Sequence, residues 1–225
     1  MNVAAINEIL DQYIKYFSGR EDSSWIEPFG LVYQWQQYWD IDRLDFAEML
    51  SACLEGDSAY WQAEAWYPKQ VILRYAHHNG DLVRSAFIDL FDENRDVVGR
   101  IHRFLFILNE LKHSYRSKDY KANTHDHDDR RMIMHYLTCR YPEQYCHYQK
   151  LGFEVLLRAT NAKNVSTDHD PERYIKVSKI INTFLSRRED FMRSVYEMLV
   201  PQEHIISPNK LLVTDVLKFV SGSYN

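Results

Sequence analysis

A chain of 225 residues, 45% hydrophobic and 26% charged with a formal net charge of −5, can bury one sizeable core or two small lobes; its composition excludes a disordered or fibrous polymer. Three cysteines without framework spacing exclude a disulfide scaffold and fit a reducing compartment, while "MNVAAINEIL" lacks the regions of a signal peptide, so the expected location is cytoplasmic. No apolar run approaches the roughly 18 residues that a membrane span requires, and only 7 Gly and 6 Pro punctuate the chain, which favours long helices over hairpins.

In chain order, Ile6, Leu10, Tyr13, Ile14 and Phe17 recur at helical spacing, and "SGREDSS" ends that first helix. "WIEPFGLVYQWQQYWDID" puts Trp25, Phe29, Val32, Trp35 and Trp39 on one face, with Pro28 tolerated in the first turn. "DRLDFAEMLSACLEG" is amphipathic, with Gly56 suited to the position after its end. "YPKQVILRYAHHNG" and "DLVRSAFIDLFDE" part at Gly80, with Asp81 the candidate N-cap of the second. The longest pattern, "NRDVVGRIHRFLFILNELKHSYRS", aligns Val97, Ile101, Phe104, Leu105, Leu108 and Leu111 on one stripe. Gly99 inside it costs about 1 kcal/mol against Ala, which predicts close packing there.

"KDYKANTHDHDD" is a polar loop. After it come "RRMIMHYLTCR" and "PEQYCHYQKLGFEVLLRATN", the latter divided near Gly152. "PERYIKVSKIINTFLSRREDFMRSVYEML" opens with Pro171 at a favourable first helical position and is long enough for one long helix or two; "SPNKLLVTDVLKFVSG" closes the chain. With no strand alternation and no fixed repeat, the expectation is an all-α multi-helix bundle, either one continuous domain or two helical lobes joined near residues 117–128. The first lobe, 1–122, is aromatic-rich and acidic; the second, 123–225, is basic. All five Trp (Trp25, Trp35, Trp39, Trp61, Trp66) fall in the first third and read as core anchors.

No glycine-rich phosphate loop, GxSxG, HExxH or CxxC is present, so no cofactor and no catalytic residue is assigned. "NTHDHDDRRMIMHYLTCRYPEQYCHYQK" concentrates polar chemistry. His125, His127 and His135, with Cys139 or His147, are candidate zinc ligands, although their spacing lacks the tight pairs of a structural site. Asp126, Asp128 and Asp129 could face magnesium; acids just before a helix have the simpler role of capping it. Residues 1–129 hold 13 Lys+Arg against 22 Asp+Glu, and residues 130–200 hold 12 against 8. The basic segment can meet a phosphate backbone, or dock on the chain's own acidic half. Tyrosines interleaved with cations can stack on bases and grip phosphates. That pattern marks Arg130, Arg131, Arg140, Tyr141, Tyr145 and Lys150 as first candidates for DNA contact. Arg173, Lys176 and Lys179 form a second basic stripe.

"DDRRMIMHYLTCRYPEQYCHYQK" resembles a D-D-R…Y-L…R-Y-P-E-x-Y-x-x-Y-K segment found in the N-terminal regions of McrB-like AAA+ proteins, the motor subunits of modification-dependent (type IV) restriction systems. "WQQYWDIDRLDFAEML" and "AFIDLFDENRDVVGRIHRF" resemble two further runs of the same regions, in the same order, over roughly residues 35 to 150. Gly99, His102 and the His-rich loop depart from the pattern. The resemblance implies a non-catalytic recognition module of an antiviral system, binding DNA that is modified or linking an AAA+ motor to a nuclease subunit, with self-association left open. Two other classes fit the residues. One is a helical protein–protein scaffold whose acidic half is the working face. The other is a metal-dependent enzyme using His125, His127, Asp128, Asp129 and His135.

Overall fold

The computed structural model describes residues 1–56, 58, 60–61, 68–118, 130–163, 165, 170–200 and 210–223. Among them every regular element is helical: α1 (Val3–Ser18), a 3-10 turn (Ser24–Ile26), α2 (Glu27–Tyr38), α3 (Phe46–Cys53), α4 (Pro68–His78), α5 (Gly80–Leu90), α6 (Val97–Lys118), α7 (Arg130–Arg140), α8 (Lys150–Ala159), α9 (Pro171–Ser186), α10 (Glu189–Leu199) and α11 (Leu211–Ser223). The all-α expectation holds for the described chain.

The helices start where short polar side chains can take up their free N–H groups. Asn2 Oδ1 accepts from Ala4 N at 2.9 Å to open α1. Asp45 accepts from Glu48 N at 2.9 Å for α3, and Asp170 accepts from Arg173 N at 2.9 Å for α9, whose first residue is Pro171. At α5 the cap is Asn79, which accepts from Leu82 N at 3.1 Å; Asp81, expected there, lies in the first turn instead. Gly56 has φ 92°, the left-handed backbone that glycine adopts without strain. The long pattern after Pro171 is two helices, parted at Arg187 and Arg188.

The chain forms two compact units, and one of them is discontinuous. A terminal unit joins Met1–Gly30 to Tyr141–Asn225, and a central unit holds Leu31–Arg140. The division therefore falls elsewhere than the expected 122/123 cut. It also redistributes the charge. The terminal unit carries 13 Lys+Arg against 15 Asp+Glu and the central unit 14 against 17, so the acidic and basic halves of the sequence are not the halves of the fold.

In the terminal unit α11 is the innermost helix. Leu211 to Leu217 are all buried, and the helix packs against α1, α8 and α9. A helix apolar on every side has to be surrounded. Its closest neighbour is α8. The expected division near Gly152 falls at the start of α8, between Gln149 and Lys150, and a Cβ built on Gly152 would lie 2.0 Å from the Leu217 carbonyl oxygen, so Gly152 is also the contact point of two helix backbones. Tyr13, Phe17 and Phe191 interlock edge to face on the other side, with ring centroids 5.2–5.9 Å apart.

In the central unit α5 and α6 pack together around Phe87 and Phe104, 5.2 Å apart, and Tyr136 of α7 lies 5.1 Å from Phe87. Trp35 stacks on Trp39 at 4.8 Å in the same cluster. Trp25, Trp35 and Trp61 are buried and Trp39 is half-buried, as core anchors should be; Trp66 lies outside the described residues. Gly99 does not mark close packing. It is exposed, the nearest atom to an added Cβ is Asp96 Oδ2 at 3.6 Å, and its N–H donates to that same oxygen. Gly99→Ala is accordingly expected to raise stability by about 0.5 kcal/mol, measured as a higher urea midpoint at unchanged m-value.

Candidate functional site

The residues expected to contact DNA divide between the two units. Arg131 is exposed on α7 and Arg140 half-buried at its end, both in the central unit; the Arg130 side chain and all of His125, His127, Asp126, Asp128 and Asp129 lie outside the described residues. His135, the remaining metal candidate, is buried against Tyr60 and Trp61, with ring centroids 5.2 and 6.1 Å away. Among the described residues no group of three His, Cys, Asp or Glu could hold a metal ion.

Tyr141, Tyr145, Lys150, Arg173, Lys176 and Lys179 belong to the terminal unit. Tyr145 is 5% exposed, which removes it as a stacking platform. The tyrosine-rich segment is built inward because Tyr174 of α9 organises it. Its hydroxyl donates to the His147 carbonyl at 2.6 Å and accepts from Gln149 N at 3.3 Å, while its ring packs on Tyr148 at 4.6 Å and Phe153 at 5.1 Å. Tyr141, at the start of this turn, is half-buried.

α9 buries Tyr174, Val177, Ser178, Ile181 and Leu185, which leaves Lys176 and Lys179 on its solvent face. Lys176 is tied to Glu172 one turn back, and that hydrogen bond holds its ammonium above the usual lysine range. Arg173 donates to the Lys163 carbonyl at 2.8 Å, and Lys150 reaches Glu154 at 4.0 Å. Lys179 has no carboxylate within ion-pair distance among the described residues.

Beside Lys179 lies a residue that pattern reasoning did not single out. Lys210 is 6% exposed, donates to the Gln144 carbonyl in the 141–145 turn, and has no carboxylate partner among the described residues. Burial pushes its pKa down. The nearby Cys146 thiol counters that effect, and the Lys179 ammonium adds to it. Lys210 also directly precedes α11, where the helix presents the positive end of its dipole; its carbonyl accepts from Val213 N at 3.0 Å. Desolvation, a second ammonium and a helix N-terminus all disfavour this cation, and the Gln144 carbonyl is the acceptor that holds it. The sequence signal was a lone lysine abutting the start of an apolar helix, with its charge at the wrong end of the dipole.

A second charged cluster in the terminal unit is internally complete. Asp215 of α11 is buried, and its Oδ2 accepts from Tyr13 Oη at 2.9 Å and from Arg20 Nη1 at 2.7 Å. Arg20 also holds Asp22 through Nη2 at 2.7 Å, and its guanidinium lies over the Tyr16 ring at 5.3 Å. Burial works against the Arg20 charge, but the hydrogen bond to Asp22 and the attraction of Asp215 outweigh it and hold its pKa above the usual arginine value. Burial raises the Asp215 carboxyl despite Arg20, and it lowers Lys218 on the same helix. Asp215 Oδ2, Arg20 and the Tyr13 hydroxyl are all spent on one another, so the cluster is a structural tie between α1 and α11.

The three cysteines are buried, and burial raises each thiol, Cys53 to about 12, which keeps them from being nucleophiles. Among the described residues no helix is long and apolar enough to cross a membrane. A scan against protein-family models finds no match to this chain, and searches of curated proteins and of solved structures find none either.

Proposed function

We propose that the chain is a non-catalytic recognition module that grips nucleic acid by its phosphate backbone, the role implied by its resemblance to the N-terminal regions of McrB-like restriction motors. The observation that supports this most is the solvent face of α9, where Lys179 is exposed one turn from Lys176 and has no carboxylate within ion-pair distance among the described residues. Lys176, Arg173 and Tyr141 are the further contacts in this unit. Arg131 and Arg140 belong to the central unit and are not counted in this surface; a methylated or hydroxymethylated cytosine is the feature read, and an AAA+ motor or nuclease subunit is the protein partner.

The test is fluorescence anisotropy with single- and double-stranded DNA, with and without modified cytosine, at several salt concentrations. Two or three phosphate contacts predict a log–log salt slope of about −2 to −3. Lys179→Ala is the discriminating variant: it should weaken DNA binding several-fold at low salt and leave the urea midpoint unchanged. Lys210→Met, the loss of a desolvated charge, is expected to raise stability by about 1 kcal/mol and to leave DNA binding as in the parent. A Lys179→Ala protein that binds DNA as the parent does would sink the assignment. So would a parent that shows no salt-sensitive binding.

A further inference from the structure

The solvent face of α9 ends on a feature that a grip on phosphates does not require. Lys176, Lys179, Ile180 and Arg187 fall within an arc of about 100° over about three turns of helix. All four are exposed, Arg187 with helical backbone at the cap of α9. Its guanidinium lies over the ring of half-buried Phe184, 5.2 Å from the centroid. Beyond that ring it makes no ion pair or side-chain hydrogen bond among the described residues. Glu189 and Asp190 open α10 just after it, and neither pairs with it; Asp190 reaches Arg193 at 3.4 Å. On the stripe itself three cations stand against Glu172, which Lys176 holds.

A cation near a helix C-terminus complements the dipole, and a ring three residues away is an ordinary surface neighbour. Those effects account for the seat of Arg187 but not for its alignment with two lysines and an exposed isoleucine. A guanidinium seated on a ring keeps its second planar face toward water, and bases stack on such faces. In a duplex each base is covered by its neighbours, whereas an unpaired strand has base faces to offer.

We propose that this face binds single-stranded nucleic acid, with one base stacked on Arg187 and the next against Ile180 while Lys176 and Lys179 meet the adjoining phosphates. The strand preference and the base contact go beyond the phosphate grip, on which they rest.

The test is fluorescence anisotropy of the full chain at low salt with three labelled probes of one length: a single DNA strand, the same strand annealed to its complement, and an abasic strand that keeps only the sugars and phosphates. The single strand should bind about fivefold tighter than either other probe, as the stacking of one base requires. Arg187→Lys keeps the charge and removes the planar face, and should abolish the preference over the abasic strand. Lys179→Ala should weaken all three probes alike. Two results overturn the strand preference and leave the phosphate grip standing: salt-sensitive binding in which the single strand is held no tighter than the abasic strand or the duplex, and an Arg187→Lys protein that keeps the parent's preference. No salt-sensitive binding to any probe overturns both. Capture by phosphatidylserine vesicles with no strand bound does the same and assigns the face to a lipid surface.

Discussion

Gly152→Ala is expected to remove about 3 kcal/mol or more of stability, read as a fall in the urea midpoint, with unfolding of the terminal unit at ambient temperature as the extreme outcome. The new methyl group would stand 2.0 Å from the carbonyl oxygen and 2.6 Å from the carbonyl carbon of Leu217. Neither is the end of a side chain that can swing away; both belong to the backbone of α11, whose residues 211–217 are buried on every side. To accept the methyl, α8 and α11 must separate, which opens the interface shared by Leu156, Leu157, Val216 and Leu217 and forfeits its packing. A glycine tolerated only for its helix propensity would behave in the opposite way, gaining from alanine. An increase in stability in Gly152→Ala would refute the close approach.

Asp215→Ala is the second large effect, with an expected loss of about 3 kcal/mol. The substitution leaves the Tyr13 hydroxyl, buried between α1 and α11, without its acceptor. It leaves Arg20, whose side chain is 7% exposed, with only the more exposed Asp22 to balance its charge. Asp215→Asn retains an acceptor but not the charge, and should cost about half as much. The pH dependence separates the two carboxylates. Burial raises the Asp215 carboxyl above its ordinary 3.8, so the folded chain binds that proton more tightly than the unfolded one, and its contribution falls as pH rises from 3.8 through the raised value. Asp22 is held well below 3.8 by the Arg20 and Ser24 hydrogen bonds, so its contribution is present above 3.8 and is lost as pH falls further. Urea midpoints across the acid range should lose the upper slope, and keep the lower one, in Asp215→Asn. An upper slope that persists in Asp215→Asn would assign it to another group.

Helix type and helix faces were legible because apolar spacing reports them directly: the stripes on α1 and α6 are buried, with Ile14, Val97 and Leu105 half-buried at their margins. What each glycine was for could not be seen. Gly99 and Gly152 look alike inside helical patterns, and only the neighbouring helix decides that one meets a backbone and the other meets water. The tyrosine-rich turn misled for a related reason. Alternating Tyr and Arg describes a wet stacking surface and a dry, hydroxyl-satisfied core equally well, and Tyr174, well downstream, holds the His147 carbonyl and packs on Tyr148 in a turn whose Tyr145 is also buried. Lys210 stayed hidden because its meaning comes from Lys179 and Gln144, neither of them close to it in sequence.

The discontinuous terminal unit sets an order of events on the ribosome. α1 is synthesised early, with Ile6, Leu10, Tyr13 and Phe17 made to lie against α9, α10 and α11, yet the return to its own unit begins only at Tyr141. At about 5–20 residues per second, α1 spends on the order of ten seconds with an uncovered apolar stripe while the whole central unit is made. The central unit, continuous in sequence, can close first and shorten the loop that α1 must bridge. Residues 1–30 thus wait for partners made after the central unit, and their apolar stripe stays uncovered longer than that of any helix in the continuous unit.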